Sequence, residues 1–428
     1  MKRRHFLQLA AGAAAGAMVE YASALPSSAE QLSLRIAPVT LELAPGVVVR
    51  TTGYNDRSPG PVLRMREGVP VTVSITNATE ATESVQWHGL HQNLGTHNTT
   101  AESGSRIVPG ATRTYRFTPA ASGTRWYHSH IATLTDSMQA ANSGQFGFLL
   151  IEPRRNADVF DKEVLLAIHH WEPTLSPKHD LQKNRKILYR HASFNDKLLG
   201  ANEPIRVRVG ERVLFRFLNA SPTEEVHLHL PGHRFTVIAL DGNPVPKRAE
   251  VDVLSLTVGE RIDAMVEMNA PGNWLLGSVD AAERARGLGI CIEYANHSGV
   301  ALWSPPAAID WSYTRFSASS HSTPDSDQPL KMLFEKSRDR HDDTHHWIID
   351  GRSYSDIEPL FSQQDRQYRL QMMNATGRAR PVHVHGRQFE LTRVNQIPVA
   401  GIFKDTIRLE RYNVVEANLV TSHPHRMS

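Results

Sequence analysis

Short runs in which apolar and polar residues alternate recur along the 428-residue chain, with Gly, Pro, Asn and Asp between them. Val47–Thr51, Val69–Thr76, Thr112–Thr118, Gly147–Ile151 and Glu163–His169 are examples. A period of two puts the apolar side chains on one face of a strand and the polar ones on the other. Many such strands, each closed by turn residues, predict β-sandwiches. No long stretch carries the apolar spacing of an amphipathic helix. No later run stays apolar for the roughly 18 residues that a membrane-crossing helix needs.

The pattern repeats. Val69–Asn77, Gly210–Asn219 and Arg366–Asn374 are similar strands that each end in Asn, and each precedes a His-bearing strand. Those are Gln86–His91, Val226–His233 and Pro381–Phe389. Three copies of one sandwich explain this most simply. The expected boundaries are 32–153, 159–296 and 329–428, with a Ser- and Pro-rich linker at 298–328. The third copy is expected to be incomplete, cut short at Ser428.

Composition narrows the class. The chain is 40% hydrophobic and 21% charged, which suits globular domains with a substantial core. A formal net charge of +3, much of it in Lys2, Arg3 and Arg4, is no nucleic-acid footprint. One cysteine, Cys291, excludes an intrachain disulfide. Residues 1–24 read as an export signal: twin Arg3-Arg4, an Ala/Gly-rich apolar run, and Ala22-Ser-Ala24 for cleavage. The expected location is therefore periplasmic or extracellular, reached by the twin-arginine route.

The 22 histidines matter through their spacing. In Trp126-Tyr-His-Ser-His130, strand geometry sends His128 and His130 to the same face, with Cα atoms about 6.6 Å apart. Two parallel imidazoles suit copper, zinc, iron or nickel. Gln86-Trp-His-Gly-Leu-His91 and Pro381-Val-His-Val-His-Gly386 carry similar spacings.

With these motifs the chain resembles the multicopper oxidases, the family of laccases and bilirubin oxidases, over nearly all of its length after the signal. The resemblance implies an all-β fold of three cupredoxin-like Greek-key sandwiches. It also implies copper in a cluster between the first and third, and a mononuclear type 1 site in the third. Its chemistry is oxidation of a small reductant, phenolic or a metal ion, coupled to reduction of dioxygen to water.

Residue by residue, the resemblance makes His88, His128, His130 and His385 ligands of the type 3 coppers, and His383 a type 2 ligand. Three departures stand against it. Gln86 occupies the place of a type 2 His, and an amide is a poor copper ligand beside imidazole. Arg380 occupies the place of a type 1 His, and a guanidinium has no lone pair to give. The family's C-terminal His-Cys-His motif is missing from this sequence; His423-Pro-His425 has Pro where the Cys belongs. The expectation is an incomplete type 2/type 3 cluster, no type 1 site and impaired catalysis. The alternatives are a non-catalytic exported scaffold of the cell-division type and a periplasmic copper-binding protein.

The remaining groups read as structural. Cys291, in an apolar closing strand, reads as a small buried hydrophobe. His227, His229 and His233 occupy the second sandwich, which binds no copper in the family. His341, His345 and His346, with Asp342 and Asp343, read as a solvated loop. His91 and His97 lie in a turn-rich segment that could line a substrate approach.

Overall fold

The computed structural model describes residues 30–90, 106–129, 143–155, 158–175, 187–318, 330–338, 345–353, 368–384 and 386–419. The signal at 1–24, together with His91, His97, His130, His341, His385, His423 and His425, lies outside the described residues.

Strands dominate, and they form three successive pairs of sheets. In the first pair, Val47–Tyr54, Glu30–Ala44, Val71–Asn77 and Thr112–Phe117 make one sheet. Leu63–Arg66, Phe146–Glu152, Gly123–Ser129, Glu83–His88 and Arg106–Ile107 make the facing one. The second pair has sheets of six and five strands. In the third, a seven-stranded sheet faces Arg380–His383 and Thr406–Leu409, the two strands of its partner among the described residues.

The repeat seen in the sequence has a physical basis. In each sandwich the opening strand runs parallel to the strand that ends in Asn: Glu30–Ala44 beside Val71–Asn77, Lys162–Leu175 beside Arg212–Asn219, Leu330–Arg338 beside Tyr368–Asn374. Asn77, Asn219 and Asn374 are all fully buried. Each amide nitrogen donates to carbonyls on the facing side: Ile107 at 2.8 Å, Leu256 at 3.0 Å and Leu409 at 3.2 Å, respectively. Each amide oxygen accepts a backbone N–H two residues on, from Thr79, Ser221 and Thr376. The same side chain thus closes a turn and fastens two sheets, three times over.

The sandwiches also share core. Trp126, Phe146 and Phe148 of the first pack with Ala167, Trp171 and Leu218 of the second. The cores of the second and third are continuous, joined through Val245, Val399, Tyr313 and Phe316. Tyr313 and Phe316 belong to the stretch whose composition reads as a linker. They form a short 3-10 turn, Tyr313–Phe316, that is packed in place, with the Tyr313 hydroxyl donating to Glu260 at 2.5 Å. The stretch with His345 and His346, expected as a loop, is instead a strand, His345–Ile349, paired antiparallel with Leu330–Arg338. The apolar Ile348 and Ile349 that follow those histidines fit it to the sheet.

Candidate metal centre

Strand pairing builds the site. Glu83–His88 runs antiparallel to Gly123–Ser129, with Gln86 opposite His128 and His88 opposite Trp126. Alternation sends Trp87 and Tyr127 into the core of the first sandwich, where both are buried. Gln86, His88, Trp126 and His128 therefore share the other face. The third sandwich meets this face with His383, which sits opposite Thr406 in the Arg380–His383 pairing.

The rings converge. His88 stacks on His383 with centroids 3.8 Å apart, and lies 5.6 Å from His128. Trp126 stacks on His128 at 4.1 Å. Each imidazole is oriented by a bond to one nitrogen. His88 Nε2 donates to Asp405 Oδ1 at 3.0 Å, with Thr406 Oγ1 also at 3.0 Å. His128 Nδ1 donates to the Ser129 carbonyl at 2.7 Å, and His383 Nδ1 to the Asp405 carbonyl at 2.8 Å. With Nε2 of His88 carrying the proton, its Nδ1 keeps the lone pair and faces His128 Nε2 at 3.4 Å. His383 Nε2 faces the Gln86 amide nitrogen at 3.2 Å.

The electrostatics agree. Burial pushes the His88 imidazole well below the ordinary His value; His383 adds to that, and Asp405 opposes it. Burial likewise lowers His383. Burial alone would raise Asp405, but Arg261 and then His88 hold it well below the usual carboxylate range. Neutral imidazoles, each fixed through one nitrogen by an acceptor, are the donor set that divalent copper and its neighbours take. The residues fit a copper ion on this chemistry. His88, His383 and Asp405 also offer atoms within 4.8 Å of one another. Asp405, however, is already engaged by Arg261, so it orients His88 rather than completing a ligand set.

Of the five expected ligands, the structure brings together His88, His128 and His383. His130 and His385 fall outside the described residues. Arg380 lies on the same strand as His383, three residues before it, where burial lowers its guanidinium to about 10. Cys291 departs from expectation: the residue is partly exposed rather than fully buried, because its position in Gly289–Tyr294 shares the outward side with Glu293. It donates to Asn273 Oδ1 at 2.8 Å, and burial followed by Glu293 raises its pKa, which disfavours the thiolate a metal would need.

His227, His229 and His233 do not converge. His227 bonds Ser255 and Glu225, His229 the Asp252 carbonyl, and His233 the Pro231 carbonyl and the Tyr294 hydroxyl.

The residues sequence reasoning missed are Asp405, Thr406, Arg261 and Asp241. A signal existed: Lys404-Asp405 and Glu260-Arg261 are charges inside apolar runs. Around the site, Arg125, Arg216, Arg261 and Lys404 face Asp241, Glu260, Asp263 and Asp405, so the formal charges cancel. All but the partly exposed Arg216 are buried.

Comparison with known proteins matches residues 36–156 and 162–290 to two models, each described as multicopper oxidase. Multicopper oxidase MmcO of Mycobacterium tuberculosis is 24% identical over 90% of this chain and 81% of its own length. Laccase-15 of Oryza sativa subsp. japonica is 31% identical, over 51% of this chain and 39% of its own. The crystal structure of a multicopper oxidase from Pseudomonas thermotolerans superposes with a TM-score of 0.72, at 24% identity, over 93% of this chain and 94% of that one.

Proposed function

We infer that this chain, which belongs to the multicopper oxidase family, is an exported copper-binding protein of laccase type whose oxidase activity is impaired. The observation that carries the reading is the face where the first and third sandwiches meet. Three imidazoles, His88, His128 and His383, gather there, and an amide stands among them.

His88, His128 and His383 hold copper in this reading, joined by His130 and His385. Copper supplies one-electron chemistry and the site for dioxygen. The protein's own part is orientation: the Asp405 carboxylate, the Ser129 carbonyl and the Asp405 carbonyl each hold one nitrogen of His88, His128 and His383, respectively. Burial favours the neutral form of His88 and His383.

Two features support impairment. Gln86 stands in the ligand row and bonds His383 Nε2. The single thiol, Cys291, lies in the second sandwich with its proton held by Asn273, so residues 1–428 offer no thiolate for a type 1 centre. A small reductant, phenolic or a metal ion, and dioxygen are the substrates of the parent chemistry. Export by the twin-arginine route with cleavage after Ala24 rests on Arg3-Arg4 and Ala22-Ser-Ala24. N-terminal sequencing of the periplasmic fraction tests it.

Copper analysis after dialysis, with oxygen uptake on a phenol, tests the rest. Sub-stoichiometric copper relative to an intact family member, no blue absorption and negligible uptake are expected. Four coppers per chain with robust uptake overturn the impairment. Copper binding that survives His88→Ala and His383→Ala overturns the site.

A further inference from the structure

Arg261 belongs to the second sandwich, which supplies none of the five candidate ligands. Yet its side chain reaches the ring of His88 through one intermediate. Arg261 Nη1 and Nη2 donate to the two oxygens of Asp405 at 2.8 and 2.6 Å, a bidentate pair. Asp405 Oδ1 in turn accepts from His88 Nε2 at 3.0 Å. Arg261, Asp405 and His88 are all buried.

We propose that Arg261 is a positioning residue for the metal centre, acting through Asp405 to fix the tautomer and orientation of His88. The proposal rests on the reading of His88 as a copper ligand.

Three observations carry it. First, Arg261 spends its full set of donors. Besides Asp405, Nη1 bonds the Gly259 carbonyl at 3.0 Å, Nη2 the Asp241 carbonyl at 3.1 Å, and Nε the Thr124 carbonyl at 3.3 Å. A guanidinium has five N–H groups, and all are used, so its plane and its aim at Asp405 are fixed.

Second, Asp405 has no freedom of its own. One oxygen is shared by Arg261, His88 and the Thr406 hydroxyl, and the other belongs to Arg261. The carboxylate sits where the guanidinium puts it, and its Oδ1 then asks for a proton on His88 Nε2. That choice leaves Nδ1 bare and facing His128.

Third, the backbone is shaped to allow the approach. Gly89, next to His88, has φ +88°; a Cβ there would come within 2.8 Å of Arg261 Nη2 and 3.1 Å of Asp405 Oδ2. Gly259, with φ +83°, brings the second sandwich against His88, and a Cβ would lie 3.4 Å from the ring. Conformation favours glycine at both positions, and at Gly89 space does as well.

A clasp serving only to hold three sandwiches together needs the Arg261–Asp405 pair but not its link to His88. The experiment must therefore read the imidazole. In metal-free protein with ring-15N histidine, the His88 signal, assigned with His88→Gln, is expected to show the proton on Nε2. A proton on Nδ1 overturns the proposal.

Arg261→Lys keeps the charge but has three donors and no fork. We expect it to weaken copper binding by about 10- to 100-fold, the usual loss when a group behind a ligand is removed, and to mix the two His88 tautomers. A folded Arg261→Lys protein with unchanged copper affinity and unchanged tautomer overturns the proposal. If that variant does not fold, Asp405→Asn gives the same reading: it cannot anchor the guanidinium as an ion pair, and an unaltered tautomer and affinity again overturn the role. His88→Ala separates this proposal from the site itself. Unchanged copper affinity in His88→Ala rejects the site. Weakened affinity there, with Arg261→Lys like wild type, rejects only the role of Arg261.

Discussion

The imidazole of His169 stacks on the ring of Phe146 with centroids 4.7 Å apart, joining the second sandwich to the first. His169 Nδ1 donates to the Ala220 carbonyl at 2.8 Å, while Nε2 is buried without a hydrogen-bond partner. Burial lowers its pKa from 6.5 to about 3. The unfolded chain therefore takes up a proton as pH falls below about 6.5 and the folded chain does not, so stability declines from there to about pH 3. The loss is on the order of a few kcal/mol. His169→Phe keeps the stacking and removes the titration. Urea unfolding at several pH values should show a slope lower by about 1.4 kcal/mol per pH unit in this window. At neutral pH the variant should lose about 1 kcal/mol, because the Ala220 carbonyl loses its donor. An unchanged slope rejects the assignment.

Glu283 gives a second, more acidic step. It lies in the Ala281–Ala285 helix, capped by Asp280, and points inward. Burial alone would raise its pKa, but hydrogen bonds from His170 at 2.8 Å and Arg286 at 2.5 Å outweigh it and hold the carboxylate at about 2. A carboxylate depressed on folding stabilises above its unfolded value of 4.5, and that contribution disappears between about 4.5 and 2. Glu283→Gln should cost about 1–3 kcal/mol at pH 7 and almost nothing at pH 2. Equal losses at both pH values would show that the charge on Glu283 contributes nothing.

The three buried asparagines should behave alike. Each side chain bonds a carbonyl on the facing sheet and an N–H in the turn after its own strand, and alanine leaves those groups unpaired. Asn77→Ala, Asn219→Ala and Asn374→Ala should each destabilise by about 2–4 kcal/mol, since a buried orphan costs about 1–3 kcal/mol. Thermal unfolding of each variant measures this. Losses under about 0.5 kcal/mol, typical of surface substitutions, would show that the turns hold without the clamp.

These asparagines mark how far the sequence could be read. Alternation revealed the strands, and the recurrence of a strand ending in Asn revealed the repeat, because both are local signals. His88, His128 and His383 were legible because strand spacing puts a motif on one face. Arg261 and Asp405 were not. A charge in a strand ordinarily faces water, and only the folded arrangement supplies the opposite charges that let these stay buried. Tyr313 and Phe316 were hidden for the opposite reason: two aromatics in a Ser- and Pro-rich stretch do not form a periodic pattern, yet each finds a slot between sandwiches. Cys291 was misjudged because hydrophobicity was averaged over its strand, whereas alternation places it beside Glu293 on the outer side.

The Gln86 amide stands among the imidazoles, beside His383. His383 donates through Nδ1 to the Asp405 carbonyl, so its Nε2 is the nitrogen with a lone pair. The Gln86 amide nitrogen lies 3.2 Å from it and donates into that lone pair. A metal reaching His383 Nε2 must break this bond, and it gains at best an amide oxygen in return. Gln86→His replaces a competitor with a nitrogen donor on the same strand face, so copper affinity should rise by about tenfold or more, the reverse of losing a supporting group. Gln86→Leu, which removes the competitor without adding a donor, should lie between wild type and Gln86→His. Competition with a calibrated chelator measures all three. Neither variant should oxidise phenols, since the only thiol remains Cys291 in the second sandwich, and Arg380→His added to Gln86→His should not change that. Affinity that is the same in wild type, Gln86→Leu and Gln86→His would show that Gln86 does not govern access to His383. Phenol oxidation by the double variant would show that electrons enter without a copper–thiolate centre.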